Sequence, residues 1–99
     1  MSDLPVACSL TPDAIAARRS GLLPGLARQA VRRERLSEGL RLIFTADAFP
    51  SVAATVDAER ACCRFLRFDI QIDPGGGAVQ LSMTGPAGTR EFLAALLDA

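Results

Sequence analysis

The segment FLRFDIQIDPGGGAVQLSM, Phe65 to Met83, limits the fold more than any other part of the chain. Leu66, Phe68, Ile70 and Ile72 alternate with Arg67, Asp69, Gln71 and Asp73. A period of two fits a strand with one face toward a core and the other toward water. PGGG then turns the chain, and Val79, Leu81 and Met83 return as the partner strand. An antiparallel hairpin with one apolar face needs a second layer to cover that face.

The rest of the chain supplies the cover. VRRERLSEGLRLIFTA reads as a second hairpin: Val31 to Leu36, whose arginines could equally continue the preceding helix, a turn at Ser37, Glu38 and Gly39, then Leu40 to Ala46 with Leu40, Leu42 and Phe44 on one face. Before it, Thr11 caps, Pro12 fits a first helical turn and Asp13 suits the positive end of a helix running to about Ala30. Its inward side is Ile15, Leu22, Leu26 and Ala30, and Pro24 interrupts it with a kink near Gly21 or a junction of two short helices. Pro50 opens another helix, to about Arg64, and TGPAGTREFLAALL forms a terminal one that buries Phe92, Leu93, Leu96 and Leu97. Leu4, Val6, Cys8 and Leu10 suit a short extended segment against the core.

The order helix, hairpin, helix, hairpin, helix specifies a single α+β domain over residues 1–99, a two-layer sandwich with helices on one face of an antiparallel sheet. At 49% hydrophobic residues the chain can fill one core. The doubled helix-and-hairpin unit is compatible with an internal structural repeat, although the two halves share no alignable pattern. Strand order does not follow from sequence.

Absences narrow the chemistry. The chain contains no histidine, lysine, tyrosine, tryptophan or asparagine, and its 11 basic residues are all arginine. That excludes Ser-His and Cys-His catalysis, a lysine Schiff base, a phosphate-loop lysine and any zinc site built on imidazole. No apolar run is long enough for a membrane span, and the start MSDLPVACSL lacks the pattern of a secretory signal, so the expected location is the cytoplasm. There, three cysteines point to free thiols or metal ligands rather than a disulfide framework.

Net charge is zero, but Arg18, Arg19, Arg28, Arg32, Arg33, Arg35 and Arg41 face only Glu34 and Glu38 across the same stretch. With no aromatic residue interleaved for stacking, this basic segment suits the acidic remainder of the same fold, or of a partner subunit, better than nucleic acid. Arg28, Arg32 and Arg35 fall at helical spacing, as a solvated face would. DPGGGA has the glycine of a phosphate cradle but neither its lysine nor its helix, and TGPAGT reads as a strand-to-helix turn.

The chemistry-bearing residues that remain lie in AERACCRF. Phe49, Val52, Val56, Glu59 and Cys63 share one helical stripe, with Cys62 at its margin beside Thr55 and Ala58. A carboxylate on that stripe needs a partner, for which Arg18, Arg19 or another arginine of the first helix are candidates, or else its pKa is raised by burial. Cys62 and Cys63, with Cys8 and Glu59, form a candidate site for Cu(I), Cd(II), Hg(II) or arsenite, or for zinc with a fourth ligand. Flanking Arg60 and Arg64 favour thiolate there, while the helix C-terminus opposes it. Core filling is the competing account, since free cysteine is among the most buried residue types. A vicinal disulfide would close a strained ring, which argues against redox chemistry.

The pieces ACSLTPDAIAARR, LLPGL, LSEGLRLIF, ERACCRFLRF, PGGG and TGPAGTREFL together resemble a group of short, uncharacterised bacterial proteins with an E-R-x-C-C-x-F motif. The group's pattern has proline after the two cysteines where this chain has Arg64. The resemblance implies a role for Glu59, Cys62 and Cys63 without supplying a reaction. Three functions are therefore open: soft-metal or metalloid binding, a protein-interaction or oligomerisation module with structural cysteines, and a thiol redox protein. A homodimer is expected, and it could complete a metal site across its interface.

Overall fold

Arg67–Ile72 forms β3 and Val79–Thr84 forms β4, an antiparallel pair with Ile72 opposite Val79. The turn between them closes through the Asp73 N–H, which donates to the Ala78 carbonyl at 3.0 Å. Gly75 and Gly76 turn it with φ of 70° and 74°, left-handed values that favour glycine. The computed structural model describes residues 22–97, and of Cys62 only the backbone. Cys8, Arg18, Arg19, the extended segment at 4–10 and the start of the first helix lie outside these residues.

The other described elements are α1 (Leu22–Gln29), β1 (Arg32–Leu36), β2 (Gly39–Phe44), a 3₁₀ turn (Ala46–Ala48), α2 (Phe49–Cys62) and α3 (Thr89–Leu97). All strands pair antiparallel in the order β1-β2-β4-β3. This is an α+β fold with a four-stranded antiparallel sheet and, among the described residues, three α-helices. It is compatible with a two-layer arrangement. The strand order is symmetric about the β2–β4 seam, with the first strand of each hairpin at an edge.

Across the seam Leu40 faces Met83, Leu42 faces Leu81 and Phe44 faces Val79, and all six are buried. The opposite face is polar: Arg41 donates to Ser82 Oγ and to Glu34, each at 3.1 Å. At the Gly39 end the Gly85 N–H donates to the Glu38 carbonyl. A Cβ on Gly39 would collide with the Met83 carbonyl, so the close approach of β2 to β4 requires glycine there.

Helices cover the apolar face. Pro24 lies in the first turn of α1, where the backbone N–H has no intrahelical partner in any case. Leu23, Leu26 and Ala27 are buried, whereas Leu22, expected inward, is 55% exposed. Leu26 is inward as expected and Ala30 packs against the core from the helix end, so the difference is confined to Leu23 and Ala27 taking the place of Leu22. In α3, Phe92, Leu93, Leu96 and Leu97 face the core as expected, and Phe92 meets Phe65 edge to face with ring centroids 5.2 Å apart. Thr89, fully buried at the start of α3, donates its hydroxyl to the Pro86 carbonyl at 2.6 Å.

β2 ends at Phe44 and Ala46 begins the 3₁₀ turn, while α2 stops at Cys62 rather than Arg64. Arg28 is helical but Arg32 and Arg35 belong to β1, so the arginine row never forms a helical face. Ile70 and Ile72 do share the apolar face, opposite Leu81 and Val79, yet they are 38% and 56% exposed. Phe49, at the start of α2, is exposed as well.

Gly39→Ala is expected to destabilise the protein by about 1–3 kcal/mol, because the clash is with backbone that can yield only by opening the seam. Chemical denaturation measures it, and an unchanged midpoint would contradict this account of the seam.

Candidate functional site

Helix α2 ends between the two cysteines. Cys62 is its last residue, and Cys63 leaves helical geometry at φ −108° and ψ 76°. The Cys63 N–H still donates to the Glu59 carbonyl at 2.7 Å, and the Cys63 carbonyl accepts from Leu66 N–H as the chain turns toward β3. The Cys63 side chain is fully buried among the core residues. Glu59, one turn earlier, is 8% exposed on the same side as Val52 and Thr55. Neither Glu59 nor Cys63 lacks an interaction partner.

Of the four expected ligands, the structure therefore brings Glu59 and Cys63 to one buried side of α2 and places the Cys62 backbone beside them. Cys8 lies outside the described residues. Among the described residues no cluster of three or more cysteine, aspartate or glutamate side chains is placed to hold a metal ion. Arg60, expected to favour thiolate, donates through Nε and Nη2 to Asp57 on the exposed side of the helix, at 3.2 and 3.1 Å. A charged sulfur at Cys63 would be held fully away from water, at a large cost in solvation.

The glycine-rich pieces are structural. DPGGGA is the β3–β4 turn, and in TGPAGT both the backbone N–H and the hydroxyl of Thr89 go to Pro86. A groove of about 250 Å³ lies between the sheet and α3, lined by Arg35, Leu40, Arg90, Glu91, Leu93 and Ala94. Glu91 sits in it beside the two arginines, so it offers no uniform charge to an anion. One oxygen of Glu38, Oε1, is buried without a hydrogen-bond partner.

The feature that the sequence reading missed is the difference between the two edges of the sheet. On the helix side β1 presents Arg33 and Arg35, both exposed, opposite Leu42 and Leu40. On the same side β3 presents Ile70 and Ile72. The signal was present in RRERL against RFDIQI, but it becomes an edge difference only once the strand order is known. No helix among the described residues is long and apolar enough to cross a membrane. No protein-family model, curated protein or solved structure matches the chain.

The Cys63 thiol is expected to react with a small thiol reagent only at the rate at which the fold opens, and Cys63→Ser to cost about 1–3 kcal/mol by placing a hydroxyl in the core. Timed labelling with peptide mapping and a denaturation curve check both. Prompt modification of Cys63 in the native protein would remove it from the core.

Proposed function

We propose that this protein is an oligomerisation module, a two-layer sandwich of helix-and-hairpin units in which Cys63 serves packing. The observation that carries this reading is the unequal protection of the sheet edges. Exposed strands invite pairing with another chain, and charged side chains are a common defence. On the polar face both edges carry charge, Arg32 on β1 and the Arg67–Asp69 pair on β3, but on the apolar face only β1 has that defence, in the exposed Arg33 and Arg35. At β3 the apolar face of the sheet continues past the helical cover to Ile70 and Ile72, with Phe49 also open to solvent. Sedimentation equilibrium of the reduced chain over a wide concentration range tests the reading. Reversible self-association is expected, and a monomer at every concentration would overturn it.

One backbone feature favours a second reading. Because α2 ends between Cys62 and Cys63, the two neighbours are not held on a continuous helix, where adjacent side chains diverge. In this reading Cys62 and Cys63, with Cys8 and Glu59, bind a soft ion such as Cu(I), Zn(II), Cd(II), Hg(II) or arsenite. Binding would draw Cys63 out of the core, so it couples to a rearrangement at the helix end. Native mass spectrometry of the reduced protein, titrated with each ion against a competing thiol, decides it. A fixed-stoichiometry complex lost in Cys62→Ser and Cys63→Ser supports the site; weak, unsaturable adducts return both cysteines to a structural role.

A further inference from the structure

We infer that the partner at the β3 edge is a second copy of β3, paired antiparallel across a two-fold axis with Ile70 opposite Ile70 of the other copy. The inference rests on the oligomerisation reading and specifies its surface and register.

The Asp73 N–H points to β4, where it meets Ala78. In an antiparallel ladder N–H and C=O directions alternate by residue, so Asp69 and Gln71 also face β4, while Phe68, Ile70 and Ile72 turn their backbone groups to the side away from β4, which no strand among the described residues occupies. Among the described residues, β4 is the strand that pairs with β3. Two copies can bond only if outward-facing residues meet outward-facing residues. That same condition keeps like faces of the two sheets together.

Side chains then select the register. Two such registers pair most of β3. The first sets Asp69 opposite Asp69 of the second copy, a like-charge contact that the ion pair of each Asp69 with its own Arg67, at 3.0 Å, offsets only in part. It also spends Ile72 against Leu66, which is already buried in its own core and precedes the strand. The second sets Ile70 opposite Ile70 and Phe68 opposite Ile72, twice by symmetry. On the other face it places Arg67 opposite Asp73 and Asp69 opposite Gln71. Every exposed apolar residue of the strand gains an apolar neighbour, and the charged end of one strand meets the opposite charge of the other. Longer slips in either direction leave only about half of the strand paired.

The β1 edge cannot do the same. Its matching registers set Arg33 or Arg35 against an arginine of the second copy, and β1 against β3 would set those arginines against Ile70 and Ile72. A β3–β3 contact is isologous and closes at two copies, giving one continuous sheet with no exposed β3 edge.

The test uses the reduced 99-residue chain and its Ile70→Asp, Ile70→Cys and Asp69→Cys variants, each checked for folding by circular dichroism. Ile70 is partly exposed, so its replacement leaves the core intact. In sedimentation equilibrium, Ile70→Asp should weaken the dimer by at least about tenfold, because it sets two carboxylates on the axis. On mild oxidation Ile70→Cys should give a cross-linked dimer, since a hydrogen-bonded pair has Cα atoms about 5.5 Å apart, within disulfide range. Asp69→Cys should not. The tryptic peptide Phe68–Arg90 has no native cysteine, so its disulfide-linked dimer reports this bond alone. A dimer indifferent to Ile70→Asp would overturn β3 pairing and leave the oligomerisation reading standing. Cross-linking of the Asp69→Cys variant, with none for Ile70→Cys, would overturn the register. A monomer at all concentrations would overturn both the inference and the reading beneath it.

Discussion

The antiparallel seam between β2 and β4 is the constraint on which the rest of the structure depends. Among the described residues these are the two strands with neighbours on both sides, and their six inward residues form the floor on which the helices rest. The seam can form only because Gly39 lets β2 approach the Met83 carbonyl. Its end is tied by the hydrogen bond from Gly85 to Glu38, which also sets where the chain leaves β4 toward α3. Burial of side chains of this size contributes on the order of 1.5–3 kcal/mol each relative to exposure, so the floor outweighs any single ion pair on the polar side.

Local pattern carried most of the fold. The two hairpins, the inward faces of β2 and β4 and the buried side of α3 follow from alternation, turn glycines and helical spacing, each a property of neighbours in the chain. What failed depended on distant residues. Leu22 and Leu23 are equally apolar, and only the packing of α1 against α2 and α3 decides which is covered. Ile70 and Ile72 were correctly assigned to the apolar face, but their exposure depends on β3 being an edge and on how far the helices reach. Phe49 belongs to the stripe of α2 by spacing and lies outside the core because the helix begins at the periphery.

The candidate site divides in the same way. That Cys63 and Glu59 share a side of α2 was legible from spacing, as was the tension between core packing and chemistry at the cysteine pair. The end of the helix one residue before Cys63 was not, since Arg64 and the residues around it carry neither the proline nor the glycine that marks a sharp stop. The chain leaves the helix there because Phe65 and Leu66 must both enter the core before β3 begins. Cys63 is thus positioned by the residues that follow it as much as by the helix that precedes it.

The strand order also bears on how the chain reaches this structure. Each hairpin joins residues that are close in sequence, so both can form within microseconds of collapse. The seam joins Phe44 to Val79 and Gly39 to Thr84, across an entire helix and the second hairpin. Closing that distance costs chain entropy before any of the six floor residues is fully covered, which makes the meeting of two preformed halves the slow event of folding. Until they meet, each half carries an apolar strand with a bare edge, and the conformational search is also the interval in which the chain is most open to aggregation.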